Sequence, residues 1–396
     1  MQSPSGSGDP EKFAQLRTRF VKHKGHYHIP RWHHTLHPSV VKECARNALP
    51  KPLGHIFHPT HATLTIEDGS TQNWFSRWHR KGLYKRPSTR LRSFWSRLAN
   101  MRRLEYWNVS WWVAVVRILH FAYSSDTDLR YAFDALQWFT LGSIVWVING
   151  FAAFLPFSDS SFMKAPNSQG WTAFLGATLF ELGSIFGILE AWNREDATRF
   201  GWNVKELLTS NSRNTSNGNS ETAAGNEPRT PSPDITKRDD GPPKHRWIWF
   251  SASGKYFREL GFLGAFFQLL AASIFWISGF TAIPNIQEGL MNNQGLNDGI
   301  FWTPQVIGGT GFMISATFIM LEAQNVWWKP TITSLGWQVG VWNFIGAVGF
   351  TLSGAFGYAA MTSSGSEYES ALSTFWGGWA FLIGSVIQWY ECVNPV

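Results

Sequence analysis

Long apolar stretches alternate with polar connections through the second half of the chain. Each stretch has about the 20 residues that a helix needs to cross a hydrocarbon core of about 30 Å. The stretches cover about 133–156, 170–191, 260–283, 302–323, 335–360 and 372–391. Short polar segments join them in pairs. The pattern therefore predicts an all-α, polytopic helical membrane protein whose six transmembrane helices form three repeated hairpins.

The remaining sequence is polar and predicts a basic, histidine-rich N-terminal region that is largely irregular. Residues 207–243 have the Pro-, Gly- and Ser-rich composition of a disordered linker. The predicted divisions are a cytoplasmic region with an interfacial amphipathic helix at 1–105, an interfacial helix at 106–130, a first hairpin at 131–193, a cytoplasmic linker at 194–256, and further hairpins at 257–325 and 333–394.

Lys and Arg residues lie almost entirely on one side of the predicted membrane. The region before the first span holds 21 of the 34 basic residues, and residues 194–259 hold another 11. The three hairpin tips on the other side hold only Lys164. Because basic residues concentrate on the cytoplasmic side, we expect both termini there, in the plasma membrane or an endomembrane.

Composition argues against a water-soluble enzyme. Of the 396 residues, 15% are charged and 23 are Trp, whereas soluble domains carry about 25% charged residues. The two cysteines provide no disulfide framework. No phosphate-binding loop, HExxH or nucleophile elbow occurs in a suitable context. We therefore predict a non-enzymatic protein without a cofactor.

A seventh apolar stretch at 106–123 contains Arg117 and His120. If it crossed the membrane, the basic region before it would have to be translocated. We interpret it as an interfacial helix, with a spanning helix as the alternative.

The segment just before it, residues 72–105, interleaves basic and aromatic side chains. An apolar stripe flanked by arginines suits a helix on an anionic leaflet, although simple topogenic charge explains the same pattern. We predict lipid-surface roles and no nucleic-acid partner for Arg77, Arg80, Arg90, Arg92, Arg97, Arg102 and Arg103.

Two further polar features have only weak chemical signals. Nine of the twelve histidines lie between His23 and His61, but no carboxylate or thiolate spacing accompanies them, so we predict no defined metal site. In the linker, Thr230 and Ser232 each precede a proline and are candidate phosphorylation sites.

The three even-numbered spans align without gaps around a glutamate near their C-terminal ends. The shared pattern is G-x3-F-x2-[GS]-[SA]-x5-E-[AC]-x-N, and its last two polar positions are Glu190 and Asn193, Glu322 and Asn325, and Glu391 and Asn394. The odd-numbered spans share a weaker pattern, [GA]-[SA]-x5-[NS]-G. Such fixed self-similarity predicts a repeated two-helix unit.

Small residues recur within these patterns, and we expect them to allow close helix packing, because helices in lipid gain little from burying apolar area. Lining a permeation path is the alternative. The glycines concerned are Gly150, Gly176, Gly183, Gly279, Gly308, Gly354, Gly377 and Gly384.

The hairpin resembles the YrhK-like domain, a small two-helix membrane unit. The resemblance is best over residues 375–391, FWGGWAFLIGSVIQWYE, and residues 179–184 echo it. It covers at most the six spans. The resemblance implies a hairpin architecture and brings no established activity with it.

Glu181 lies near the middle of the second span. Placing an ionisable side chain at that depth in a bilayer costs several kcal/mol, so Glu181 is a candidate functional group. Two interpretations stay open. A neutral Glu181 would stabilise the bundle by hydrogen bonding to Gln137, Asn149, Gln268 or Asn343, or it would take part in proton or cation movement.

Two interpretations also stay open for the glutamates Glu190, Glu322 and Glu391. Together they would form a ring of carboxylates at the cytoplasmic opening of a pore, as in cation-selective channels. Alternatively, each would pair with a nearby basic residue, for example Glu322 with Lys329 and Glu190 with Arg194.

The leading prediction is thus a non-enzymatic membrane scaffold or lipid-associated protein, with the bilayer and anionic lipids of the cytoplasmic face as partners and a homo-oligomer left open. The alternative is a small-solute, proton or cation transporter or channel that uses Glu181 and the three other glutamates.

Overall fold

The computed structural model describes residues 40–66, 71–81, 98, 138–159, 161–163, 166–193 and 248–394. Several predictions concern residues outside these ranges. They are the interfacial helix at 106–130, the disordered linker, the phosphorylation candidates Thr230 and Ser232, Gln137, and the lipid-surface residues Arg90, Arg92, Arg97, Arg102 and Arg103.

Six long helices confirm the predicted fold class, since each is long and apolar enough to cross a membrane. In chain order they follow strand β1 (Val40–Arg46), helix α1 (Lys51–Gly54), strands β2 (His61–Ile66) and β3 (Thr71–Phe75) and helix α2 (Ser76–Arg80). The long helices are α3 (Trp138–Ser158), α4 (Pro166–Trp192), α5 (Leu260–Thr281), α8 (Thr303–Ala323), α9 (Leu335–Gly357) and α10 (Ser364–Val393).

The helices pair as α3–α4, α5–α8 and α9–α10, which are called hairpins 1, 2 and 3 below. The connection within hairpin 2 is itself mostly helical, with α6 (Pro284–Met291), α7 (Gln294–Asn297) and a π-helical turn (Asp298–Trp302). Prolines near the first turns of α4 and α8 suit helix starts, where the missing N–H has no helical partner to lose. The Ser363 side chain caps α10 by accepting a hydrogen bond from the Ser366 N–H.

The six long helices form a closed ring. Each packs against the next in chain order, and α10 packs against α3 to complete the circuit. The C-terminal ends of α4, α8 and α10 therefore lie together at one end of the bundle, which is called the glutamate end below. The ring leaves a central axis that side chains from all three hairpins fill.

Two triangles of aromatic rings occupy this axis. One triangle consists of the motif phenylalanines of the even-numbered spans, and its ring centroids are 6.2 Å (Phe180–Phe312), 5.3 Å (Phe180–Phe381) and 6.1 Å (Phe312–Phe381) apart. The other consists of matching positions in the odd-numbered spans, at 5.5 Å (Trp146–Phe275), 4.8 Å (Trp146–Phe350) and 5.5 Å (Phe275–Phe350). All six side chains are buried. Such spacings are those of favourable edge-to-face and offset aromatic pairs.

Motif glycines let the two helices of each hairpin approach. A Cβ atom on Gly176 would lie 2.7 Å from the Trp146 ring nitrogen, and one on Gly308 would lie 2.7 Å from the Phe275 Cβ. The same atom on Gly377 would lie 3.0 Å from the Phe350 ring. In each hairpin, then, the glycine of the even span faces the aromatic residue of the odd span.

The other motif glycines are also packed inside the bundle. A Cβ on Gly150 would meet the Phe375 backbone, one on Gly279 would meet Ala177, one on Gly354 would meet Val306, and one on Gly384 would meet the Asn343 side chain. Gly183 is likewise buried. These positions support the packing interpretation of the glycines.

The N-terminal region contains more regular structure than predicted. Strands β1, β2 and β3 form an antiparallel sheet in that order, and helix α2 follows β3 directly. Trp74 is fully buried, and the ring of Phe75 lies 4.5 Å from that of Trp78. Within this region, the described residues 40–66 and 71–81 thus form a small sheet and two short helices where irregular structure was expected. The weak periodicity of these short strands explains why the pattern did not predict them.

Candidate functional site

The three motif glutamates converge at the glutamate end. Glu190, Glu322 and Glu391 are 2–3% exposed. The equal spacing from the motif phenylalanine to the glutamate, ten residues or about 15 Å of helix, places all three carboxylates at one level above the phenylalanine triangle. Three buried carboxylates at one point require cations, and α2 and the residue after it supply them.

Arg77 lies against hairpin 3. Its Nε donates to Glu391 Oε1 at 2.7 Å and its Nη2 donates to Glu391 Oε2 at 2.6 Å. Nη1 of the same guanidinium lies 3.8 Å from Glu322 Oε2. A bidentate arginine–carboxylate pair of this kind is stronger than a single hydrogen bond and fixes the orientation of both side chains.

Arg80 joins the other two hairpins. Its Nη1 donates to Glu190 Oε1 at 3.2 Å, and its Nη2 donates to Glu322 Oε2 at 2.6 Å. Lys81 completes the set, because its Nζ donates to Glu391 Oε2 at 2.8 Å. Three cations thus face three carboxylates, and each hairpin contributes one of the acids. The six residues are called the charge cluster below.

Positions 77, 80 and 81 share one face because side chains three and four residues apart on a helix are neighbours. Helix α2 and the residue after it can therefore present all three cations to the bundle at once. Ser76 adds a hydrogen bond from its Oγ to Glu322 Oε1 at 3.0 Å.

The charge cluster keeps its arginines ionised. Burial by itself would lower the pKa of Arg77, but the carboxylates of Glu391, Glu322 and Glu190 together raise that pKa above its ordinary value. Burial opposes the charge of Arg80 in the same way, and Glu322 and Glu190 raise its pKa. Buried ion pairs offset their desolvation cost only with good geometry and full hydrogen bonding, which this arrangement largely provides.

Two glycines make room for the arginines. A Cβ on Gly336 would lie 2.5 Å from Arg77 Nε, and one on Gly261 would meet the Glu322 carboxylate and Arg80 Nε. Both glycines are the second residue of their helix, α9 and α5 respectively. A larger side chain at either position would have to displace side-chain atoms of the charge cluster.

The lipid-surface prediction is wrong for Arg77 and Arg80. Their side chains are 6% and 8% exposed and face carboxylates inside the protein. The local pairing suggested for Glu322 is also wrong, since its partners are Arg80, Arg77 and Ser76, while Lys329 is exposed. Arg194 lies outside the described residues. Sequence reasoning missed Ser76 and Lys81, although the spacing of the three cations was a visible signal.

The motif asparagines hold chain segments against the ends of their helices. Asn193 accepts a hydrogen bond from the Ile248 N–H at 2.7 Å and donates to the Ile248 carbonyl at 2.7 Å. Asn325 accepts from Arg46 Nη2 at 3.0 Å, and Asn394 donates to the Tyr390 carbonyl at 3.1 Å. Their roles are therefore those of caps and tethers.

Glu181 forms a separate polar contact between hairpins 1 and 2. Ser273 Oγ on α5 donates to Glu181 Oε1 at 2.9 Å. None of the predicted amide partners within the described residues contacts this carboxyl group. Within the part of the chain that the structure describes, the half-buried Glu181 side chain makes this one hydrogen bond, so it forms a helix–helix contact.

The other candidate intramembrane polar residues do not form one site with Glu181. Asn149 donates to the Gln169 carbonyl at 2.7 Å and to Thr172 Oγ1 at 2.9 Å. Gln268 and Asn343 line a small cavity beside the phenylalanine triangle. Over the described ranges, no group of three His, Cys, Asp or Glu side chains is arranged to hold a metal ion.

No protein-family model matches the chain, and neither a curated protein nor a solved structure shows detectable similarity to it. The resemblance to the YrhK-like domain therefore stays a prediction. The charge cluster and the axial triangles are the features from which a function can be argued.

Proposed function

We propose that this chain is a non-enzymatic integral membrane scaffold, built from three repeats of one hairpin and closed at its cytoplasmic end by its own N-terminal region. The charge cluster is the observation that supports this proposal. Each of the three motif glutamates, which could otherwise attract a solute cation, is paired with a cation of the same chain, and the two aromatic triangles fill the axis behind them.

The distribution of charge supports the orientation. The chain reaches the glutamate end through the segment that precedes α3 and through the segment that joins α4 to α5, and these hold 21 and 11 of the 34 basic residues. The positive-inside rule therefore favours a cytoplasmic location for that end and for both termini. In this arrangement α2 holds the three hairpins together from the cytoplasm, and the exterior of the ring is left for lipids and partner helices.

The test is a flux measurement on purified protein reconstituted in liposomes. A scaffold gives no proton, Na⁺, K⁺ or Ca²⁺ flux above that of protein-free liposomes, and Glu181→Gln changes nothing. A saturable flux in the wild type that Glu181→Gln abolishes, in a variant that still elutes as a single folded species, would refute the scaffold and place Glu181 on a transport path.

A transporter or channel is the second candidate, because three carboxylates converging at one end of a helical ring are the arrangement of a cation-selective mouth. In that case α2 would act as a gate. Changing Arg77, Arg80 and Lys81 together to glutamine would then produce a cation flux that the wild type lacks. The scaffold proposal expects this triple variant to be less stable and still without flux.

A further inference from the structure

Residues 48–58, between β1 and β2, lie against the end of hairpin 2. At one end the Trp327 N–H donates to the Ala48 carbonyl at 2.8 Å, and at the other the His58 N–H donates to the Arg258 carbonyl at 2.7 Å. Trp327 follows the last residue of α8 by four positions, and Arg258 precedes the first residue of α5 by two. Both hydrogen bonds therefore hold this segment at the level where hairpin 2 ends.

Large apolar side chains are exposed at this level. Leu53 and Ile56 are 48% and 54% exposed, and Trp327 and Trp328, which follow α8, are 55% and 65% exposed. Trp249 and Phe250 are more exposed still, and the Asn193–Ile248 hydrogen bonds place them next to the end of α4. These six side chains are called the apolar rim below.

A rim of this kind is unfavourable in water. Monomeric soluble proteins rarely expose clustered apolar groups without a partner, and here three of the six are tryptophans. Tryptophan is enriched where the hydrocarbon core meets the headgroups, because its ring is apolar and its N–H is polar. Lys329, which is exposed and directly follows Trp328, suits phosphate groups at the same depth.

We propose that the apolar rim inserts into the headgroup–acyl boundary of the leaflet at the glutamate end, so that the N-terminal sheet domain is itself membrane-attached through Leu53 and Ile56. The rim side chains lie where α4 and α8 end and α5 begins, which is the depth at which spanning helices leave the hydrocarbon core, and we therefore assign the bilayer as the occupant of the rim. This inference rests on the proposed scaffold only in that both require the six helices to span the membrane.

The experiment measures depth with an environment-sensitive fluorophore, NBD, attached to a single cysteine. Cys44 and Cys392 are first replaced by serine, and Ile56→Cys or Leu53→Cys is added. The labelled protein is reconstituted in phosphatidylcholine–phosphatidylglycerol vesicles. Quenchers are aqueous iodide and lipids with a nitroxide either near the headgroup or deep in the acyl chain.

Two positions serve as matched controls. Leu270→Cys lies on an exposed face near the middle of α5, and Thr63→Cys lies on an exposed position of β2. We expect the deep nitroxide to quench the label at 270 and iodide to quench the label at 63. The labels at 56 and 53 should be quenched by the shallow nitroxide and several-fold less by iodide than the label at 63.

Quenching of the labels at 56 and 53 by iodide as strong as at position 63 would overturn the proposal. Protection from both iodide and lipid quenchers would also overturn it, because a protein surface would then cover the rim. If the label at 270 escapes the deep nitroxide, the spanning architecture itself fails. If the label at 270 behaves as expected and only the labels at 56 and 53 give one of these contrary results, the spanning architecture is retained and the proposal for the apolar rim is rejected.

Discussion

Replacing Arg77 with methionine removes one cation from the charge cluster and keeps most of the side-chain volume. Glu391 loses the two hydrogen bonds of 2.7 and 2.6 Å and, among the described residues, keeps the contact with Lys81 alone. The buried cluster then has two cations for three carboxylates. Removing one partner of a buried pair costs about 3–5 kcal/mol, because an uncompensated charge is left behind.

Thermal unfolding in a mild detergent measures the effect. A loss of this size corresponds to a drop of about 10 °C in the apparent Tm for a domain of this kind. The matched control is Arg46→Met, since Arg46 is exposed and the hydrogen bond from its guanidinium to Asn325 is worth about 1 kcal/mol.

A double variant separates charge from packing. Arg77→Met combined with Glu391→Met removes the pair together, so its loss should be clearly smaller than the sum of the two single losses. An Arg77→Met protein as stable as Arg46→Met, or a double variant whose loss equals that sum, would refute the argument that these two side chains stabilise each other.

Three further predictions concern the same architecture and use the same unfolding assay. Gly261→Val should cost about 1–3 kcal/mol by crowding the Glu322 carboxylate, whereas Gly289→Ala, which has open space around it, should cost much less. Phe312→Ala removes one corner of an axial triangle and should cost about 3–5 kcal/mol; a loss below 1 kcal/mol would contradict the packed axis. Burial, aided by Arg46, lowers the pKa of His61 from 6.5 to about 4. His61 therefore contributes about 3 kcal/mol to the free energy of unfolding above pH 6.5, and this contribution is lost as the pH falls towards 4. His61→Gln should flatten this pH dependence of stability, and an unchanged pH profile would exclude His61 as its source.

The apolar pattern alone predicted the helices well. Spans of about 20 apolar residues leave few alternatives in a chain of this composition, because an unsatisfied backbone in lipid is too costly. The predicted spans agree with α3, α4, α5, α8, α9 and α10 to within a few residues at most ends. The largest differences between predicted and observed helix ends occur where polar residues extend a helix beyond the apolar stretch, as at the start of α10. A helical turn outside the hydrocarbon core needs no apolar residues, so the apolar pattern does not reveal it.

The partners of the glutamates could not be predicted from local sequence. Glu391 and Arg77 are 314 positions apart, and nothing in a periodic pattern links residues at that distance. The same arginines suited a lipid surface equally well, because a basic stripe beside a membrane has the same composition whether it faces phosphates or carboxylates. Burial of these arginines at the end of the helical ring is what distinguishes carboxylate partners from phosphate partners.

The sequence by itself determined the six spans found among the described residues, their pairing in hairpins and the recurrence of glycine, phenylalanine, glutamate and asparagine along them, since these follow from local hydropathy and spacing. Only the tertiary structure decided that the three phenylalanines meet on one axis, and that α2 and the residue after it supply the cations for the three carboxylates. Those contacts arise from closure of the ring, which joins residues that are distant in the chain, and their energy depends on burial that exists only after the ring has closed.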